Sequence, residues 1–172
     1  EEIGDKKGIS ASLYNIGNIY LRQDNYPQAL DYHKRSLKIE EDIDNIEGVA
    51  LSLGNIGVIY SHQNNYSKAL DYYERSLKIQ QERGDKQGIA NLFHNIGFNY
   101  NNQDNYSKAL DYHSKSLKIR EEIGSKQGIA SSVGNIGSIY KEQGLFNNAI
   151  TQCQRSLNLS EEIGAIDLQK QA

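Results

Sequence analysis

Apolar and small residues recur along this chain in two alternating stripes, and the alternation repeats every 40 residues. Between 48 and 63, Ala50, Leu53, Ile56, Gly57 and Tyr60 fall at i, i+3, i+6, i+7 and i+10, one face of a helix. Gln63-Asn64-Asn65-Tyr66 interrupts that stripe with turn-forming asparagines. A second stripe follows, and its spacing predicts burial of Ala69, Leu70, Tyr73, Leu77 and Ile79. The same two stripes return in register. Gly8, Gly48, Gly88 and Gly128 align, as do Gly17, Gly57, Gly97 and Gly137, and Ala29, Ala69, Ala109 and Ala149. A fixed period of this length is the mark of a repeat architecture. The pattern predicts an all-α chain of antiparallel helix pairs at 8–23 and 26–43, 48–63 and 66–83, 88–103 and 106–123, 128–143 and 146–163.

The punctuation between stripes agrees. Asn25, Asn65 and Asn105 are expected N-caps, and Pro27 sits in a first helical turn, where its missing N–H is not needed. Gly84 and Gly124 suit a left-handed C-terminal position, with Asp85 or Ser125 able to cap the next helix. Asp44 replaces that glycine, so a slightly different junction is expected there. Four complete units follow at 8–47, 48–87, 88–127 and 128–167. Residues 1–7 read as the tail of a preceding unit, because Glu1-Glu2-Ile3-Gly4 repeats Glu121-Glu122-Ile123-Gly124. Residues 168–172 read as the start of a further unit or a terminal tail, which Ile166 and Leu168 would open. With no methionine anywhere, the chain is expected to be a fragment or a processed chain. A pair of short helices cannot bury its apolar face alone, so the pairs are expected to stack on one another.

Composition narrows the classes of function. A net charge of −3 gives no strong attraction to nucleic acid or to an anionic membrane. Mean hydropathy is −0.70, and no apolar run approaches the roughly 18 residues of a membrane span. One cysteine allows no internal disulfide framework. No nucleophile–base pair, phosphate loop or paired-acid arrangement stands out, so no enzyme activity and no cofactor are expected.

Leu53, Ile56-Gly57, Tyr60, Ala69, Tyr73 and Ser76 match, in order and spacing, the pattern of the tetratricopeptide repeat, which the chain resembles over essentially its whole length. The chain departs from that pattern in its 40-residue period, where 34 is usual, and in lacking the proline that usually ends the second helix. The longer unit is similar to the arrays of kinesin light chains, of the Leu-Gly-Asn repeat adaptors of cell polarity, and of many bacterial signalling proteins. The resemblance implies an α-solenoid, a right-handed superhelix whose first helices line a concave groove. It also implies a protein or peptide as partner and a cytoplasmic location, with neither nucleic acid nor membrane involved.

Three sets of residues are the candidate site. Asn15, Asn55, Asn95 and Asn135 stand mid-helix, where asparagine is a mediocre choice. Each amide both donates and accepts, and so could clamp an extended peptide backbone. The resemblance implies such an asparagine ladder, and an inter-repeat hydrogen bond is the competing explanation. Just before it runs the column Tyr14, Gly54, His94 and Gly134, in which the glycines would leave hollows between large side chains. Leu21, Val58 and Phe98 form an apolar set expected on the same surface. His33 and His113 take the core aromatic position of the second helices and are expected to be buried rather than metal-binding. Cys153 takes the same position and is expected to be an inert small hydrophobe.

Two functions fit. One is a scaffold that holds an extended segment of a partner in the groove through the asparagine column. The other is a structural or regulatory array inside a larger signalling protein, such as a sensor kinase or a protease fusion, with a homo-dimer possible through the repeat ends or the groove.

Overall fold

In a computed structural model the backbone is described for residues 2–171 and the side chains for residues 5–164. Ile166 and Leu168 lie outside the described side chains. The described residues form eight α-helices and no strand: α1 (Glu2–Arg22), α2 (Tyr26–Asp42), α3 (Ile46–His62), α4 (Tyr66–Arg83), α5 (Lys86–Asn101), α6 (Tyr106–Glu122), α7 (Lys126–Glu142) and α8 (Phe146–Gln171). They divide into two compact units, residues 1–85 with α1–α4 and residues 86–172 with α5–α8.

From α2 to α7 the helices begin and end within two residues of the expected bounds. The outer helices differ. α1 starts at Glu2 rather than near residue 8, and α8 runs to Gln171 rather than ending near 163. Gly164 stays in the right-handed helix, whereas Gly124, one period earlier, turns left-handed at φ 68°. The residue after Gly124 is Ser125, the N-cap of α7; the residue after Gly164 is Ala165, the strongest helix former.

Every described turn between helices carries one left-handed residue. Gly84, Gly124 and Gly144 fill three turns, and Asp24, Asp44, Asn64 and Asp104 fill the others at φ 53–58°. Asp44 therefore takes the glycine conformation after all, because a short polar side chain tolerates this region. Inside the pairs α1/α2, α3/α4 and α5/α6 the turn is tied by a tyrosine. Tyr26 and Tyr106 donate their hydroxyls to Asp24 and Asp104, and Tyr66 donates to Asn64, at 2.8–3.0 Å. The hydrogen bonds to Asp24 and Asp104 raise the tyrosine pKa values. Asn65 and Asn105 cap α4 and α6 as expected, accepting from Lys68 N and Lys108 N, and Asn45 accepts from Gly48 N. Asn25 and Ser125 make no side-chain cap bond.

In the pairs α1/α2, α3/α4 and α5/α6 the helices meet glycine against ring, and in α7/α8 Gly137 meets Cys153. A Cβ at Gly17, Gly57 or Gly97 would lie 2.6–2.9 Å from ring atoms of His33, Tyr73 or His113 respectively. The glycine thus admits the ring of the second helix, and the alanine backbone (Ala69 O, 3.2 Å) comes second. A serine fastens the pair. Ser36, Ser76, Ser116 and Ser156 donate at 2.7–3.0 Å to the carbonyls of Ser10, Ala50, Ala90 and Ala130 on the first helix. The buried stripe of the second helix is accordingly more polar than its apolar spacing suggests. In α4 it is Ala69, Tyr73, Ser76 and Gln80, while Leu70, Leu77 and Ile79 are half-buried.

Candidate functional site

The asparagine column divides in two. In the first unit, Asn55 Nδ2 on α3 donates to Asn18 Oδ1 on α1 at 2.8 Å. In the second, the Asn135 amide on α7 meets His94 Nδ1 on α5 at 3.3 Å. Both are hydrogen bonds between the first helices of successive pairs, the competing explanation raised for this column. Asn15 is exposed and Asn95 half-buried, and neither makes a side-chain hydrogen bond among the described residues. Asn55 and Asn135 each keep one amide N–H and a carbonyl oxygen beyond these bonds.

Packing against the core position accounts for three members of the preceding column and leaves Gly134, opposite small Cys153, without a steric reason. Tyr14 meets buried His33 edge-on, with ring centroids 5.3 Å apart, and His94 meets buried His113 at the same distance. Where the core position holds the larger Tyr73, the column holds Gly54; where it holds Cys153, the column holds Gly134. Tyr14 and His94 therefore complete the core as well as border the surface. A cavity of about 520 Å³ opens beside Gly134 and Asn135, lined also by Ser131 and Ser156. Val58 is half-buried in the first unit, and Phe98 is 45% exposed in the second.

A third feature lies at the end of each second helix. Glu40, Gln80 and Arg120 stand one period apart, and each is buried. Arg120 Nη1 donates to Gly128 O and Ser132 Oγ, both at 2.9 Å, and Nη2 donates to Asn91 Oδ1 at 3.3 Å. No carboxylate pairs with it among the described residues, and burial lowers its pKa. The Glu40 carboxylate makes no hydrogen bond among the described residues, and its Oε2 is fully buried. Spacing could have found this position, since Ala29, His33, Ser36 and Glu40 lie on one helical stripe. Neither this position nor Asn18 stood out from the sequence.

The histidines are core residues. His33 is 0% exposed and His113 1%, and burial pulls the pKa of each down to about 4. Half-buried His94 is also lowered to about 4, by burial first and then by the Arg120 charge, which lowers His113 too. No ring nitrogen of His33 finds a partner. Burial likewise raises the Tyr73 hydroxyl pKa, against the effect of its hydrogen bond to Ser61. Among the described residues no three His, Cys, Asp or Glu side chains converge as metal ligands would, and no helix is long and apolar enough to cross a membrane. Cys153 departs from expectation. It packs over Gly137 but is exposed, like Ile150 and Leu157 on the same helix.

No curated protein sequence matches the chain. Among solved structures it is similar to BtubC (BKLC) from P. vanneervenii, at 20% identity and a TM-score of 0.80 over 92% of this chain and 66% of that one. It is also similar to a Rap protein in complex with competence and sporulation factor, at 18% identity and a TM-score of 0.84 over 94% of this chain and 44% of that one. Aspartyl phosphate phosphatase F from Bacillus subtilis is similar at 16% identity, with a TM-score of 0.85 over 95% of this chain and 42% of that one. The chain thus spans between two-fifths and two-thirds of these proteins' lengths. The family model of the tetratricopeptide repeat matches residues 8–82 and 88–162. With its tandem helix pairs, glycine-on-ring contacts and two family matches, the chain belongs to the tetratricopeptide repeat family.

Proposed function

We propose that the chain is a protein-binding scaffold whose first helices hold an extended segment of a partner by its backbone, through the asparagine column. The observation that carries this is the state of Asn15 and Asn95. These amides are accessible, lack partners among the described residues and stand one turn from accessible apolar side chains. A strand of peptide offers one C=O and one N–H at regular intervals whatever its side chains are, and a fixed amide can pair with both. Asn55 and Asn135 would contribute their remaining carbonyl and N–H while bracing neighbouring helices. Phe98, Val58 and the cavity beside Gly134 would then choose side chains. The similar Rap structure was solved with competence and sporulation factor, which supports a peptide or protein as the ligand class. Exposed Ile9, Ile16 and Ile19 on α1, and Phe146, Ile150 and Leu157 on α8, favour a second reading. In it these faces pack on further parts of a larger signalling protein or on a second copy, and concentration-dependent light scattering would detect the latter.

The two roles of asparagine make the test sharp. Asn95→Ala should weaken binding of captured partner peptides that carry no arginine by roughly 1–3 kcal/mol, for one or two lost hydrogen bonds, and leave thermal stability unchanged. Asn55→Ala should weaken binding and also lower stability by about 1 kcal/mol, as the bond to Asn18 is lost. Normal binding by an Asn15→Ala/Asn95→Ala double variant would overturn the clamp.

A further inference from the structure

The two units treat one buried position in opposite ways. In the second unit Arg120 runs over Gly128 and spends its guanidinium on Gly128 O, Ser132 Oγ and Asn91 Oδ1. One unit earlier these positions are Glu40, Gly48, Ser52 and Ala11. Gly48 again makes room, since a Cβ there would overlap the Glu40 carboxylate. Among the described residues nothing replaces the guanidinium. Glu40 is 6% exposed, and its Oε2 is buried without a partner. Ser52 is 0% exposed, and its Oγ is also buried without a partner. Ala11 stands where Asn91 would fill space, and a cavity of about 300 Å³ opens there. Glu40, Ala11, Tyr14, Gly48 and Leu51 line it, as do the charged Lys7 and Glu47.

We propose that this cavity in the first unit takes an arginine side chain of a bound peptide, the incoming guanidinium pairing with Glu40 and standing where Arg120 stands in the second unit. A buried carboxylate with no donor is costly, and a planar cation with several N–H groups is the complement of one. Leu51, which is 44% exposed, and the Tyr14 ring offer apolar surface to the methylene stem. Charge favours a cation over an anion. Of the two other ionic groups at the cavity, Glu47 is held by Arg83 at 3.1 Å, and exposed Lys7 has no ion pair among the described residues. Lys7 is the one cation of the cavity lining that could compete for Glu40. This inference rests on the peptide-binding reading above and adds the side chain selected.

The test titrates the whole chain with N-acetyl-arginine amide while the backbone amide resonances of Gly48, Leu51 and Ser52 are followed. Saturable shifts are expected with the arginine derivative. At least about tenfold weaker binding is expected with the citrulline derivative, which keeps the shape and lacks the charge. Glu40→Gln should abolish the difference and still fold, because Gln80 occupies the same position buried at 3% exposure. Glu40→Arg should also abolish binding while melting at or above the parent temperature, since the new guanidinium meets the acceptors left open. Lys7→Ala should tighten arginine binding or leave it unchanged. Equal shifts with both derivatives, unaltered binding by Glu40→Gln, or a lower melting point for Glu40→Arg would each overturn the assignment. The asparagine variants are read on peptides that carry no arginine, so failure here and failure of the scaffold reading are distinguishable.

Discussion

The first and second units share one repeat plan yet place opposite charges beneath it. Residues 1–85 bury an unpaired carboxylate, Glu40, and one core histidine, His33. Residues 86–172 bury a guanidinium, Arg120, beside two histidines in contact, His94 and His113. The helices and the serine fasteners are alike in both, and each has a glycine-on-ring contact, though Gly137 of the second meets Cys153 instead. The backbone geometry thus tolerates either sign at this depth, provided a glycine on the neighbouring helix leaves room. What differs is how the charge is answered. Arg120 finds three acceptors within its own unit, and Glu40 finds no donor.

Acid should separate the units most strongly. An unfolded histidine takes up its proton near 6.5, and these buried rings do so only near 4. Between those values the unfolded chain binds more protons, so stability falls as pH is lowered through that window. It falls no further once the folded rings protonate. At pH 4.5 the loss should be roughly 2–3 kcal/mol for the first unit and about twice that for the second, where the pair titrates beside a fixed cation. Amide hydrogen exchange of α3 against α7 would measure both, because repeat arrays open locally. Equal losses would break the comparison. His33→Phe should flatten the first unit's pH dependence and raise its stability at pH 7, since a ring whose nitrogens lack hydrogen-bond partners is replaced by one with no polar atoms.

A smaller effect should come from removing each buried charge. Arg120→Met leaves Gly128 O, Ser132 Oγ and Asn91 Oδ1 without their donor, and should cost about 2 kcal/mol in a thermal melt. Glu40→Met removes a charge that no described group pairs with, and should be neutral or stabilising. If both variants melted alike, the difference between the units would be one of sequence alone.

The smallest expected effects are at the glycines, and they differ within a single helix. A Cβ at Gly134 would meet only Ser156 Oγ, at 3.4 Å, so Gly134→Ala should stabilise by up to about 1 kcal/mol. At Gly137 the same change brings a Cβ to 3.0 Å from Cys153 Sγ, and at Gly57 to 2.6 Å from the Tyr73 ring. Gly57→Ala should therefore destabilise most and Gly137→Ala less, by circular dichroism melts. A Gly57→Ala variant as stable as the parent would mean that the ring does not need the glycine.

Much of this was legible in the sequence, because periodic burial is a property of spacing. The 40-residue register placed α2–α7, and the glycines at 84 and 124 marked left-handed ends. The candidate surface was legible only as columns. That Asn55 would find Asn18, and Asn135 His94, depends on the offset between neighbouring first helices, which no single-helix period encodes. The roles of Glu40 and Arg120 were hidden for a similar reason. A charged residue at a helix end ordinarily reads as solvated, and here the glycines at 48 and 128 let it lie inward. Asp44 stands out in the sequence for its lack of glycine, whereas the turn asks only for a residue that tolerates positive φ.

The serine fasteners bear on how quickly the chain acquires its structure. Each joins residues 26 apart, from Ser36 to Ser10 through Ser156 to Ala130. The search that closes one pair is therefore no longer than the search that closes any other. Contacts so near in sequence give a low contact order, and chains of that kind reach the native state in microseconds to milliseconds. No pair need wait for another to be complete, so a nucleus can form at several places and spread by docking the adjacent helices. Removing one hydroxyl, as in Ser76→Ala, should slow closure of its own hairpin and leave the others at their original rates.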